Sequence, residues 1–155
     1  SGRRLRSTED IRKGSALSAE IFGDYWRQKL SVELPERSGK EAAEVLLAAA
    51  ETHDLVMFEY YLTDKAGHAQ HPEYAREVLE RLDKLLYPLM KYPGGHTLVL
   101  CSDHGNLEDL STKSHTRNPV PLLVSGPEAA CFHDAKTIMD VATQLVKAAI
   151  LTSRS

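Results

Sequence analysis

The sequence predicts an α/β fold, a three-layer α/β/α sandwich with a mostly parallel sheet. Three observations carry that expectation. Apolar runs of strand length alternate with longer segments of helical period. Glycine, proline and capping residues mark the joins. The resulting order, helix, strand, helix, strand, strand, helix, is the grammar of that architecture. At 155 residues the chain is long enough for one domain with a real core.

Residues 17–30, LSAEIFGDYWRQKL, place Leu17, Ile21, Tyr25 and Trp26 on one helical face, with Ser18 near the start. Gly23 opposes that helix by about 1 kcal/mol relative to alanine. LPERSGK reads as a loop, and Ser38 as the N-cap of an alanine- and leucine-rich helix ending near His53. DLVMFEYYLT (54–63) is β-branched and aromatic and almost continuously apolar, as a strand covered on both faces should be. Pro72 suits the first position of the next helix, Glu73 its dipole, and His71 its cap. Val78, Leu82, Leu85, Leu86 and Leu89 keep a 3.6 period until PGG at 93–95 stops the helix.

HTLVLCS (96–102) is the second buried strand, with Cys101 as a small buried hydrophobe. If it lies parallel to the first, the 71–92 helix makes a right-handed crossover. In NPVPLLVSG, Val120, Leu122 and Val124 alternate around Pro121, which favours an edge strand or a strand start. DAKTIMDVATQLVKAAI (134–150) is the last helix, capped by Asp134 and burying Ile138, Val141, Leu145 and Val146.

A net charge of -3 argues against a nucleic-acid partner, because phosphate binding wants a clustered cationic surface. The basic cluster Arg3, Arg4, Arg6, Arg12 and Lys13 reads as a solvated, poorly ordered terminus. No stretch resembles a signal peptide or membrane span, and two cysteines make no disulfide framework, so a cytoplasmic setting is expected. The absence of an initiator Met hints at a processed product or an excised piece.

Chemistry concentrates where strands end. Asp64 and His68 bracket a glycine turn after the first strand, Asp103 and His104 follow the second, and His115 lies in the polar loop beyond. In open α/β sheets ligands collect past the carboxyl ends of strands, so parallel strands would aim both acids at one crevice. An antiparallel edge strand at 119–125 would return His115 to it. Carboxylates with neutral imidazoles suit Mn, Zn or Fe better than Ca or Mg, and five such groups exceed what one catalytic zinc uses. Two ions at roughly 3.5–4 Å can share them. Taken singly, each pair is more often turn chemistry. Lys65 reads as a solvated turn lysine before a phosphate contact, and Asn106 and Asn118 as loop-fixing residues. His53, His71, His96 and His133 are assigned no role in the site.

TDKAGH, SDHGN and SHTRNPVPLLVSG, in that order, resemble the carboxyl-terminal half of the alkaline phosphatase superfamily, nearest the cofactor-independent phosphoglycerate mutase-like metalloenzymes. The resemblance covers roughly 54–126. It implies an alkaline phosphatase-like fold, with one ion held by Asp64, His68 and His115 and a second by Asp103 and His104. The second ion of that family also needs a first-strand aspartate and a Ser or Thr nucleophile, for which no motif stands before residue 54. Ser7, Thr8, Ser15 and Ser18 are unmarked hydroxyls in a charged, helix-like context.

The expectation is therefore a metal-dependent phosphoryl-transfer domain, incomplete at its amino-terminal side and inactive or weakly active alone. Residues 1–37 would be an extension with a helix and 38–155 the metal-binding α/β domain, one compact domain overall. Two divalent ions, Mn or Zn, and a phosphorylated small molecule are the implied cofactors and partner. A missing amino-terminal half is a further expected partner, and loss of the first strand would expose a sheet edge and promote self-association. The rival expectation is a non-catalytic binding domain that keeps the metal motifs by inheritance.

Overall fold

The computed structural model describes residues 5–92 and 94–152, so Arg3, Arg4 and Pro93 of the expectations above lie outside the described residues. The chain opens with α1 (Thr8–Arg12), where Ser7 and Asp10 cap each other reciprocally. Asp10 and Ile11 are buried. Arg37 Nη2 donates to the Ile11 carbonyl at 2.5 Å, and Arg12 Nε to the Glu33 carbonyl at 2.9 Å. These ties hold as a short helix the segment expected to trail in solvent.

The helix expected over 17–30 begins only at α2 (Asp24–Leu30). Ile21 and Gly23 both take left-handed backbone conformations, which break the helical path. Ile21 instead turns back to pair with Ser18 and drops into the core. The Glu20 carboxylate accepts the Tyr25 and Trp26 N–H groups at 3.0 and 3.3 Å, satisfying donors that a helix start leaves open.

Helix α3 (Gly39–Ala50) starts as its sequence requires, with Ser38 and Glu41 forming a capping box. It crosses the long α5 (Pro72–Lys91), whose N-cap is His71 and whose first residue is Pro72. Pro88 lies inside α5, and its missing N–H leaves the Lys84 carbonyl without that helix partner. Gly39 lies flat on this carbonyl, where any Cβ would collide with the oxygen. Ile21, Ala42, Ala43 and Leu85 form the core between α3 and α5.

Residues 55–60 take no regular secondary structure and alternate in burial, with Val56, Phe58 and Tyr60 turned inward and Leu55, Met57 and Glu59 outward. They form no strand: no described strand lies beside them, and strand propensity specifies an extended path without supplying a partner. The Tyr60 hydroxyl donates to the Val78 carbonyl at 2.9 Å, and burial pushes this phenol up to about 12. The segment then enters α4 (Leu62–Ala69), so the expected glycine turn between Asp64 and His68 is a helix.

The sheet among the described residues has two strands, β1 (Leu98–Cys101) and β2 (Leu122–Ser125). They pair antiparallel, from Leu98 opposite Ser125 to Cys101 opposite Leu122. The described structure is thus mixed α/β, and the crossover between parallel strands is absent because residues 54–61 are unpaired. Cys101 closes β1 on its exposed side, a correction to its expected burial. Helix α6 (Ile138–Thr152) starts four residues after Asp134. The Asp140 carboxylate accepts from the Thr137 N–H and hydroxyl and from the Lys136 N–H, so the Thr137–Asp140 pair starts the helix in place of Asp134. Val141 is buried with Phe132 and Ala148 against the sheet, whereas Ile138 and Val146 face outward.

Candidate metal centre

Helix geometry begins the site. Residues four apart lie on one helical face, so α4 presents Asp64 and His68 together. Leu62 and Ala66 anchor the opposite side of α4 against Val78 and Ala75 of α5. Leu107 and Leu110 join that apolar cluster and bring the loop after β1 alongside α4. Asn106 closes the approach. It is 3% exposed, and its Nδ2 donates to the Asp64 carbonyl at 3.2 Å and to Asp64 Oδ1 at 2.6 Å. Gly67 is required here, since a Cβ would strike the Asn106 side chain.

The antiparallel turn-back of β2 returns His115 to this place. Thr116 N–H donates to the Gly105 carbonyl at 2.8 Å, a one-pair bridge that aligns the loop of His104 with the loop of His115. The two imidazoles stack with centroids 3.7 Å apart and planes 17° from parallel.

Three donor atoms then converge. Asp64 Oδ1 lies 3.3 Å from His68 Nε2 and 3.2 Å from His115 Nε2, and the two nitrogens are 3.3 Å apart. His68 Nδ1 lies 2.6 Å from the Lys113 carbonyl, which can only accept, so Nδ1 donates there and Nε2 is the ring atom that faces the carboxylate, with a lone pair wherever the ring is neutral. A lone pair facing an anionic oxygen is unfavourable without a cation or a proton between them. Tetrahedral bonds of about 2.0–2.1 Å put neighbouring ligand atoms about 3.3–3.4 Å apart. The triangle matches that spacing, so these residues fit a metal ion by donor type and by distance. Burial acts to raise the Asp64 carboxyl, but the Asn106 hydrogen bond and the three imidazoles outweigh it and hold the group below its ordinary value.

Among the described residues, Asp64, His68 and His115 form the group of metal-ligating side chains close enough to share an ion. His104 stands at its edge, with Nε2 4.0 Å from Asp64 Oδ1 and 3.5 Å from Asp103 Oδ2. The Asp103 side chain is 81% exposed and reaches the cluster through His104. Lys65 points to aromatic faces, its Nζ 4.5 Å from the Tyr61 ring centre.

Two residues carry more of the site than their sequence context indicated. Asn106 orients the Asp64 carboxylate as well as its own loop. Glu108 accepts from the Asn106 N–H at 2.7 Å, the Asn118 amide at 3.1 Å and the Thr116 hydroxyl. The Thr116 bond first, then the backbone and Asn118 donors, bring this carboxyl down to about 2. Asn118 fixes its loop, as expected. A neighbour of Asp64 at sequence distance 42 and a carboxylate bonded eight and ten residues ahead leave no local signal.

A family model described as the Metalloenzyme superfamily matches residues 30–152. Among curated proteins, the 2,3-bisphosphoglycerate-independent phosphoglycerate mutase of Haloarcula marismortui is 30% identical over 126 residues, covering 72% of this chain and 24% of that protein. The protein of the same name from Vibrio parahaemolyticus is 32% identical over 127 residues, 74% of this chain and 25% of its own length. That from Desulforudis audaxviator is 32% identical over 104 residues, covering 62% and 20%. The chain thus spans about a quarter of the length of these relatives. No solved structure matches it significantly.

Proposed function

This chain belongs to the Metalloenzyme superfamily, and we propose that it is a metal-dependent phosphoryl-transfer domain in which Asp64, His68 and His115 hold one divalent cation. The convergence of one carboxylate oxygen and two imidazole nitrogens within 3.3 Å of one another carries this reading. Asp103 and His104 are proposed to contribute to a second ion beside it. Mixed oxygen and nitrogen donors favour Mn or Zn. A phosphorylated small molecule is the proposed substrate class, supported by the phosphoglycerate mutase relatives.

A bound divalent cation supplies charge neutralisation at a phosphoryl oxygen and lowers the pKa of a coordinated hydroxyl or water. The chain's own residues prepare that place. Lys113 holds the His68 tautomer through Nδ1, and Asn106 fixes the direction of the Asp64 carboxylate. The Ser102 and Thr116 hydroxyls donate to the His104 carbonyl and to Glu108.

The finer architecture belongs to the same proposal. The in-and-out alternation along 55–60 supports a strand of a larger, mostly parallel sheet in a three-layer sandwich. Residues 38–155 are taken as the metal-binding domain, with 1–37 as an extension fastened to it through the Asp24–Arg81 ion pair and through Ile21 in the α3–α5 core.

Isothermal titration with Mn(II) and Zn(II) tests the reading. The wild-type chain is expected to bind at least one ion, and Asp64→Asn, His68→Ala and His115→Ala each to lose it. Unchanged binding in all three variants would refute the assignment.

A further inference from the structure

We infer that Glu108 is a positioning residue of the metal centre, fastening the loop of His104 to the loop of His115 and so setting the distance between the two imidazoles. The inference rests on the reading of Asp64, His68 and His115 as a cation site. Glu108 belongs to none of the metal-ligating pairs. Its oxygens instead accept from both loops. Oε2 takes the Asn106 N–H at 2.7 Å, two residues past His104. Oε1 takes the Asn118 amide at 3.1 Å and the hydroxyl of Thr116, the residue after His115. Thr116 Oγ1 in turn accepts the Asn118 N–H at 3.2 Å.

The chemistry of the clamp is specific to a carboxylate. All three donors converge on one side chain, and an ionised carboxylate offers acceptor sites alone. A neutral amide would turn an NH2 toward at least one of them. The packing leaves no slack either: a Cβ on Gly105 would run into both Thr116 Oγ1 and Glu108 Oε1. Apart from this clamp, the Gly105–Thr116 bridge joins the loops by a single residue pair. Metal sites tolerate errors of about 0.5 Å in ligand placement, so a loop freed at this point misplaces His115 relative to α4.

The test measures Mn(II) affinity and metal-free thermal stability in parallel, at a temperature well below every melting midpoint. Glu108→Ala is expected to bind Mn(II) about tenfold or more weakly, and Thr116→Val to lose affinity in the same direction by less. Glu41→Ala is the control, since Glu41 is an equally engaged surface carboxylate in the α3 capping box. It is expected to lower the melting temperature and leave Mn(II) affinity unchanged. Bound Co(II) should show an altered visible spectrum in Glu108→Ala, which a general loss of stability would not produce. Should Glu108→Ala fail to fold, Glu108→Gln and Thr116→Val carry the comparison. Wild-type affinity in the folded Glu108 and Thr116 variants overturns the positioning role. A wild-type chain that binds no Mn(II), or binds it equally well as His115→Ala, overturns the cation site first and this role with it.

Discussion

At the scale of single residues, Asp64 depends on a neighbour that is almost wholly out of water. The Asn106 amide donates twice to Asp64, while its Oδ1 is buried without a hydrogen-bond donor among the described residues. Asn106→Ala removes both bonds and should cost about 1–3 kcal/mol; chemical denaturation checks the stability, and Mn(II) titration should show weaker binding in the same protein. Gly67→Ala makes a sharper test of packing. Helix propensity favours alanine there by about 1 kcal/mol, yet the added methyl would drive into Asn106. Sterics should win, so the variant is expected to melt below the wild type. A higher melting temperature would show that Asn106 can move aside at no cost. Asp64 and His68 were visible in the sequence as candidates, but their setting was not. A glycine after an apolar run reads equally well as a turn. Here it serves a close approach from a residue 39 positions later.

Elements explain how those side chains meet. The helix of 72–91 was legible because caps and period agreed: His71, Pro72, Val78 and Leu85 all hold their expected places. Leu85, 1% exposed, fills the α3–α5 core, so Leu85→Ala should cost about 2–5 kcal/mol. Leu79 on the same helix is 48% exposed, and its replacement by alanine should change stability by less than about 0.5 kcal/mol; paired denaturation curves decide it. The segment 54–63, expected as a strand, has no strand partner among the described residues and enters α4 at Leu62. Its composition dictated an extended chain, whereas strand status depends on a neighbour that local sequence does not encode. The loops beyond β1 and before β2 carry a pH dependence. Glu108 falls from an ordinary 4.5 to about 2 in the folded chain. A lowered carboxylate contributes stability that is complete above the unfolded value and lost as pH falls through the folded one. The melting-temperature gap between wild type and Glu108→Gln should therefore be full at pH 6 and shrink between 4.5 and about 2. A gap independent of pH across that window would contradict the bonding described for Glu108.

For the molecule as a whole, the described residues bring one candidate cation site together at the junction of α4 with two loops, and no described helix is long and apolar enough to cross a membrane. Membership of the Metalloenzyme superfamily and a span of about a quarter of its mutase relatives set the expected activity. With no nucleophile motif before residue 54, the 155-residue chain should show little phosphomonoesterase turnover with Mn(II) or Zn(II) present. Robust turnover would reveal a nucleophile not recognised here. The motif order was legible because the ligand types recur at strand and helix ends. The sequence offers an antiparallel strand at 119–125 as the condition for the return of His115; β2 does run antiparallel, and His115 lies 3.2 Å from Asp64. X-ray absorption at the zinc edge of the singly loaded protein tests the central claim most directly, because the free thiols of Cys101 and Cys131 are rival zinc ligands. The account predicts a shell of nitrogen and oxygen with the outer scattering of two imidazoles, lost in His68→Ala and His115→Ala. Sulfur in the zinc shell, or no imidazole scattering, would contradict it.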